Sequence, residues 1–364
     1  MDIIIDRLNF PKTVIRGKGA IARLGDFCQT VGKKAFVFGG KIALSKTQEA
    51  MTASLQAAGV EVLAVEWYGG ESSRKNIEAL KERAKVLQAD VLIAVGGGKA
   101  LDTGKLVSYE TNIPVITIPT IAATCAAVTP VSVEYTDEGK FAAMTVFDYC
   151  PEGIIVDTDV ILHAPVKYLA AGLGDTIAKW YEYRVSIQTM EENGITLGAL
   201  TQGKLCFDLI EKFGPAAITA VETGKFDSAL DSAIDSIILY AGLASILGGE
   251  KLRSAAAHGF YNGLTTLPGG HELSHGLTVG YGNLFLLALE KRSDKEIIEA
   301  MELSKKCGVP ITVKDIKPLT EEDLKTLAKA ITLTPDMKNM PFTSTEAEII
   351  AAIKKVEEIA KDFK

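Results

Sequence analysis

Short β-branched runs alternate with helically spaced apolar positions through the first half of the chain. Ala35–Gly39 reads as a strand, Ser45–Ala58 as a helix and Val60–Glu66 as a second strand. A helix over Arg74–Leu87, the strand Asp90–Val95, a helix from Lys99 and the strand Pro114–Ile118 follow. Nearly continuous apolar strands separated by helices predict βαβ units and a parallel sheet covered on both faces. Val131–Tyr135 and Phe141–Phe147, joined by a turn containing Gly139, predict an antiparallel hairpin.

After Ile154–Asp157 the texture changes. From about Pro165 the chain is rich in Ala and Leu at helical spacing, with no strand pattern to the end. The expected organisation is an α/β domain over residues 1–160 and an all-helical domain over 161–364. Thr345–Phe363 reads as an amphipathic helix that closes the second domain, its lysines and glutamates forming a solvated face.

Composition narrows the function. The chain has 364 residues, enough for two domains, with 47% hydrophobic and 23% charged residues. A net charge of −7 without a long basic run argues against nucleic acid or an anionic membrane as partner. The five cysteines are scattered and lack metal-type spacing, which suits a reducing cytoplasm. The start, Met1 to Arg7, has no signal-peptide layout, and no apolar run reads as long enough to span a membrane. A cytoplasmic protein acting on a small molecule is expected.

Two stretches carry chemistry. Val95-Gly-Gly-Gly-Lys-Ala-Leu-Asp102 falls where a strand ends and a helix begins. Glycines there let the backbone approach a pyrophosphate, and the helix start favours the anion. Leu101 stands at the third glycine position of the dinucleotide fingerprint, so the loop also reads as a plain tight turn, and Asp102 as a helix-start charge. The second stretch holds His258, His271 and His275, three of only four histidines in the chain. Imidazole is a common ligand for Zn²⁺ and Fe²⁺, so His258 and His275 could share one ion.

The run Gly96–Lys105, Ile118–Cys125, Ser132–Gly139, Ala171–Asp175 and the His258–His275 stretch together resemble the glycerol dehydrogenase branch of the iron-containing alcohol dehydrogenases. The likeness runs in order from about residue 12 to 290. It implies a dinucleotide-binding α/β domain and a helical domain with the active site between them, the dehydroquinate synthase-like arrangement. Homo-oligomers are also implied. By position, the metal ligands fall on Asp175, His258 and His275, a set that leaves a coordination position open on one divalent Zn or Fe. His271 falls on no ligand position and is a candidate proton carrier. Gly97, Gly98, Lys99 and Asp102 map around the cofactor phosphates, and Thr120, Thr129, Val131 and Tyr135 along the nicotinamide.

Three departures from the branch shape the expected reaction. The acidic residue that NAD-binding members place after the first strand is Gly40, followed by Lys41, which predicts NADP(H) in preference to NAD(H). Cys125 replaces an aspartate that holds a polyol hydroxyl, so glycerol loses a charge-assisted hydrogen bond. Lys179, one helical turn after Asp175, puts a cation where related enzymes have a further histidine ligand. That suits a carboxylate beside the reacting carbonyl; the alternative is a lysine running to solvent or pairing with Glu182. These features, with the segments Thr120–Cys125, Ala178–Glu182 and Asn262–Thr265, are similar to the hydroxycarboxylate dehydrogenases of the family. The first expectation is therefore NADPH-dependent reduction of a small 2-oxo acid, with a metal polarising the carbonyl. NAD-dependent oxidation of glycerol or a related polyol is the second. A nucleotide-binding protein that has lost catalysis is the third.

Overall fold

The apolar runs of the first half lie side by side in one sheet. Its strands are β1 (Val14–Gly17), β2 (Lys34–Gly39), β3 (Glu61–Trp67), β4 (Val91–Gly96), β5 (Val115–Pro119) and β8 (Gly153–Asp157). The hairpin strands β6 (Val131–Tyr135) and β7 (Phe141–Val146) form a separate antiparallel pair. The computed structural model describes residues 8–363. Residues 1–7, with the expectation about the chain's start, and the side chain of His271 lie outside the described residues. By contact the chain divides into two compact units, Met1–Ala164 and Pro165–Lys364.

In the first unit the strand order is β1-β8-β5-β4-β2-β3, parallel at every pairing. Helices α1 (Leu24–Cys28), α2 (Lys41–Ala57), α3 (Arg74–Leu87), α4 (Gly98–Thr111) and α5 (Thr158–Leu162) accompany it. β2 and β4 are buried along nearly their whole length, and one face carries a core of Val37, Ile93, Val95, Ile116 and Ile118 with Leu24, Met51 and Leu55 from the helices. Chain direction through the sheet reverses at β2, whose neighbours are β3 and β4. The carboxyl ends of β2 and β4 therefore form a topological switch point, where open parallel sheets bind ligands.

The second unit contains no strand among the described residues. It is built from α6 (Val166–Ser186), α7 (Gly194–Thr223), α8 (Ser228–Asp235), α9 (Ala241–Leu252), α10 (Ala256–Thr265), α11 (His275–Leu289), α12 (Asp294–Lys306), α13 (Glu321–Leu333) and α14 (Glu346–Ala360). α11 packs on α6, α10 and α14, and α7 packs on α6, α8 and α9.

The structure departs from the sequence reading in four places. β1 went unrecognised: it is four residues long, and its partner β8 lies about 140 positions away. α2 begins at Lys41, not Ser45, because Gly40 already has the extended backbone of a helix cap. Among the described residues one helix is long and apolar enough to cross a membrane, where the sequence reading found no run of that length. It joins α8 and α9 through a π-helical turn over Ser228–Leu252, and 61% of its apolar window is buried within the unit. Finally, the charged face of α14 is not wholly solvated: Glu357 accepts hydrogen bonds from the Tyr281 hydroxyl and the Val313 N–H.

Candidate metal centre and nucleotide site

The switch point brings the two nucleotide motifs together. Gly39 is in register with Val95, and the Gly40 N–H donates to the Val95 carbonyl at 3.1 Å. Gly40 and Lys41 thus lie beside Gly96–Lys99, where α4 starts with Gly97 as its cap. N–H groups in the first turn have no acceptor within their own helix, so this mouth is suited to an anion. The missing fingerprint glycine has a substitute one turn on. A Cβ at Gly104 would come within 2.3 Å of Ala94 Cβ, so Gly104 supplies the close helix–strand packing that Leu101 does not.

Side chains around this mouth have distinct environments. Lys99 is half-exposed, pairs with Glu71 at 2.5 Å and lies 5.0 Å from the Tyr135 ring. Lys41 is exposed, with its ammonium 4.3 Å from the Trp67 ring, a cation–π contact. Asp102 of α4 is not a surface charge: it is buried, lies 2.9 Å from Lys105 Nζ and accepts from the Val133 N–H. Burial pushes its carboxyl up while Lys105 opposes the shift. Lys105 also donates to the carbonyls of Ala126, Thr129 and Val131, seating the segment that carries Cys125 and Thr129. Thr120 and Thr129 are buried, while Cys125, Val131 and Tyr135 are half-buried. Lys105 escaped the sequence reading because a lysine inside a helix ordinarily signals solvent.

In the second unit, Asp175 of α6, His258 of α10 and His275 at the start of α11 converge, their nearest ligand atoms all within 4.8 Å of one another. Close helix contact makes this possible. A Cβ at Gly276 would come within 2.1 Å of the Ala171 carbonyl, and one at Gly282 within 2.5 Å of the Ala257 carbonyl. These two glycines let α11 touch α6 and α10, which carry the other two ligands. Asp175 Oδ1 lies 3.6 Å from His258 Nε2 and 3.4 Å from His275 Nε2. It is buried and has no hydrogen-bond partner. Bonds of about 2.0–2.1 Å in tetrahedral geometry imply ligand–ligand edges of roughly 3.4 Å. The buried, unsatisfied oxygen facing two imidazole nitrogens at that spacing fits a divalent ion.

Surrounding groups tune the triad. Burial alone would push the Asp175 carboxyl up, but the imidazoles of His258 and His275, then Lys179, hold it well below the usual carboxylate range. Burial pulls the His258 imidazolium down, yet Glu182 and Asp175 outweigh it and push His258 up to about 10. Lys179 is 4% exposed, so it does not run to solvent. His275 is the open side of the triad, its side chain 38% exposed, and the Tyr261 ring packs edge-on against it at 4.4 Å. Sequence reading named Glu182 only as a partner for Lys179. The structure shows a partner on another helix: the His258 ring, at 2.6 Å. Two surface clefts of about 420 and 550 Å³ share Glu290, Lys291, Arg292 and Phe342, and no triad residue lines either.

The first unit carries a glycine loop at the switch point of a parallel sheet, and the second an Asp–His–His cluster able to hold a metal ion. The chain belongs to the iron-containing alcohol dehydrogenase family, whose members act on CH–OH groups, and residues 11–158 match that family directly. It is 34% identical over 370 residues to a glycerol dehydrogenase of Escherichia coli O6:H1, covering 100% of this chain and 99% of the relative. It is 30% identical over 354 residues to hydroxycarboxylate dehydrogenase A of Escherichia coli K12, covering 95% and 96%. The crystal structure of glycerol dehydrogenase from Schizosaccharomyces pombe superposes with a TM-score of 0.88 at 28% identity, covering 99% of this chain and 92% of that one. These likenesses favour the polyol reading over the 2-oxo acid reading that stood first.

Proposed function

We propose that this enzyme transfers hydride between a nicotinamide nucleotide and a small alcohol or carbonyl bearing oxygen on the adjacent carbon, with a glycerol-like polyol as the first candidate. The observation that carries the reading is the convergence of Asp175, His258 and His275 on a common point. These three residues would hold one divalent ion, zinc or iron, which supplies Lewis acidity toward the substrate oxygen. The phosphate groups of the cofactor would sit at Gly97, Gly98 and Lys99. Glu71 then has to yield Lys99 when the anion arrives. Full-length likeness to glycerol dehydrogenases supports the polyol.

One observation favours a second substrate class. Lys179 is a buried cation close enough to Asp175 to depress its carboxyl, and a substrate carboxylate would be attracted to it. That supports 2-oxo acid reduction. NADP(H) preference rests on Gly40 and the exposed ammonium of Lys41. His271 as proton carrier, a homo-oligomeric assembly and a reducing compartment suited to five free cysteines complete the proposal.

The deciding experiment screens glycerol, other diols, aldehydes and 2-oxo acids against NADH, NADPH and their oxidised forms. Each is run with added Zn²⁺ or Fe²⁺ and after chelation. Turnover of glycerol or a diol that disappears with chelator and returns with metal is expected. Undiminished turnover in metal-free protein would sink the metal role. Turnover confined to 2-oxo acids would replace the polyol reading with the second one.

A further inference from the structure

Glu182 lies two helical turns after Asp175 on α6, and it is wholly buried. Its two carboxylate oxygens have separate tasks. Oε1 accepts the backbone N–H groups of Ala255 and His258 at 2.7 and 2.9 Å. These belong to the cap and first turn of α10, and Ala255 has no side chain able to cap it. A carboxylate from another helix therefore serves as the cap, at the end where the helix dipole favours negative charge. Oε2 takes the Nδ1–H of the His258 ring at 2.6 Å. With Nδ1 donating to Glu182, Nε2 is the nitrogen turned toward Asp175 Oδ1, 3.6 Å away, and it is the one whose lone pair an ion held between them would take.

From this geometry we infer that Glu182 is the positioning residue of the metal centre: one carboxylate fixes where α10 begins, how the His258 ring is turned and which nitrogen stays free for the ion. The inference rests on the metal reading of the triad. Burying a carboxylate this deeply is costly unless it is fully hydrogen-bonded. Three donors meet that need, and all three come from the start of α10. Asp175 and Glu182 are seven residues apart, so one face of α6 carries both a direct ligand and the group that orients a second ligand.

The test is Glu182→Gln, which keeps an oxygen for the two backbone donors but presents an amide N–H₂ to the ring. The ring then turns, or moves its proton to Nε2, and its ligand lone pair is lost. Affinity of chelated, reloaded protein for Zn²⁺, measured by competition with a chromogenic chelator, is expected to fall about 10- to 100-fold. The melting temperature without metal and the affinity for NADPH should change little. Unchanged Zn²⁺ affinity with a lowered melting temperature would make Glu182 a helix cap only, and the inference would be wrong. Should wild-type protein itself bind no Zn²⁺, the metal reading fails first, which is a distinct outcome. If the variant does not fold, ¹⁵N-histidine spectra of the zinc-loaded wild type decide. One ligating ring should be bound through Nε2 and carry a low-field Nδ1 proton; a ring bound through Nδ1 would overturn the inference.

Discussion

Lys105 Nζ lies 2.9 Å from Asp102 Oδ1, and the two side chains form a buried ion pair beneath the nucleotide loop. The same ammonium donates to the carbonyls of Ala126, Thr129 and Val131. Lys105→Met would leave a carboxylate and these carbonyls without their partner. Removing one side of a buried pair costs about 3–5 kcal/mol, so urea unfolding should show a loss of that order. Cofactor affinity should fall as well, because the segment 120–131 is no longer seated. A loss under about 1 kcal/mol would mean that water replaces the ammonium easily.

Gly40→Asp tests cofactor choice. A Cβ there meets only Ala43 Cβ, at 3.8 Å, and the backbone is in an ordinary extended conformation. Nothing steric demands glycine. An added carboxylate would repel a 2′-phosphate and accept from a ribose hydroxyl. Like charges in contact cost several kcal/mol, and 1.4 kcal/mol is tenfold. The ratio of kcat/KM for NADH over NADPH should rise about tenfold or more. An unchanged ratio would detach cofactor preference from this position.

Lys179→Met separates the substrate classes. If the buried ammonium meets a carboxylate, KM for 2-oxo acids should rise by about tenfold or more, as expected when a charged hydrogen bond is lost. Glycerol kinetics should move much less. Equal effects on both substrates would assign Lys179 to the neighbourhood of Asp175 alone.

Gly276→Ala tests how the triad is assembled. The new Cβ would lie 2.1 Å from the Ala171 carbonyl, so α6 and α11 must part. Overpacking of this kind costs typically about 1–3 kcal/mol. Because His275 precedes Gly276 and Asp175 is on α6, Zn²⁺ affinity should fall along with the melting temperature. Retained metal affinity would show that the ligands adjust independently of the helix crossing.

Acid stability has an identifiable contributor in Glu110 of the first unit. Burial pushes the Glu110 carboxyl up, but hydrogen bonds from Arg74 and Lys81 outweigh this and hold it below its ordinary value. A carboxyl lowered in the folded state stabilises above its unfolded pKa, about 4.3, and loses that contribution as pH falls through the folded value. Glu110→Gln should therefore destabilise at pH 7, by no more than about 1 kcal/mol for a partly exposed pair, and the difference should close below pH ~4. A difference that grows on acidification would contradict the assignment.

Periodicity and turn chemistry made much of the architecture legible. The bounds of α3 and the pairing of the β6–β7 hairpin follow the sequence pattern, because each is set by neighbours in the chain. Residue order also made the family resemblance and the candidate triad visible, since motifs are local. Other features arise only when distant segments meet. β1 is a strand because β8 lies beside it, and Gly104 matters because Ala94 is opposite. The interior lysines show the limit most clearly. Lys105 looks like a solvent-facing residue of an ordinary helix, and only tertiary burial makes it a clamp on three carbonyls. For Lys179 the spacing already put it near Asp175, and the fold adds that it is buried and does not run to solvent. Glu182 belongs with them. Its sequence neighbourhood offers Lys179 as a partner, but in the fold its carboxylate is given to the start of α10 and to His258. The residue types that can bind metal and nucleotide are written in the chain; which atoms face each other is decided by packing, through the requirement that buried polar groups find partners.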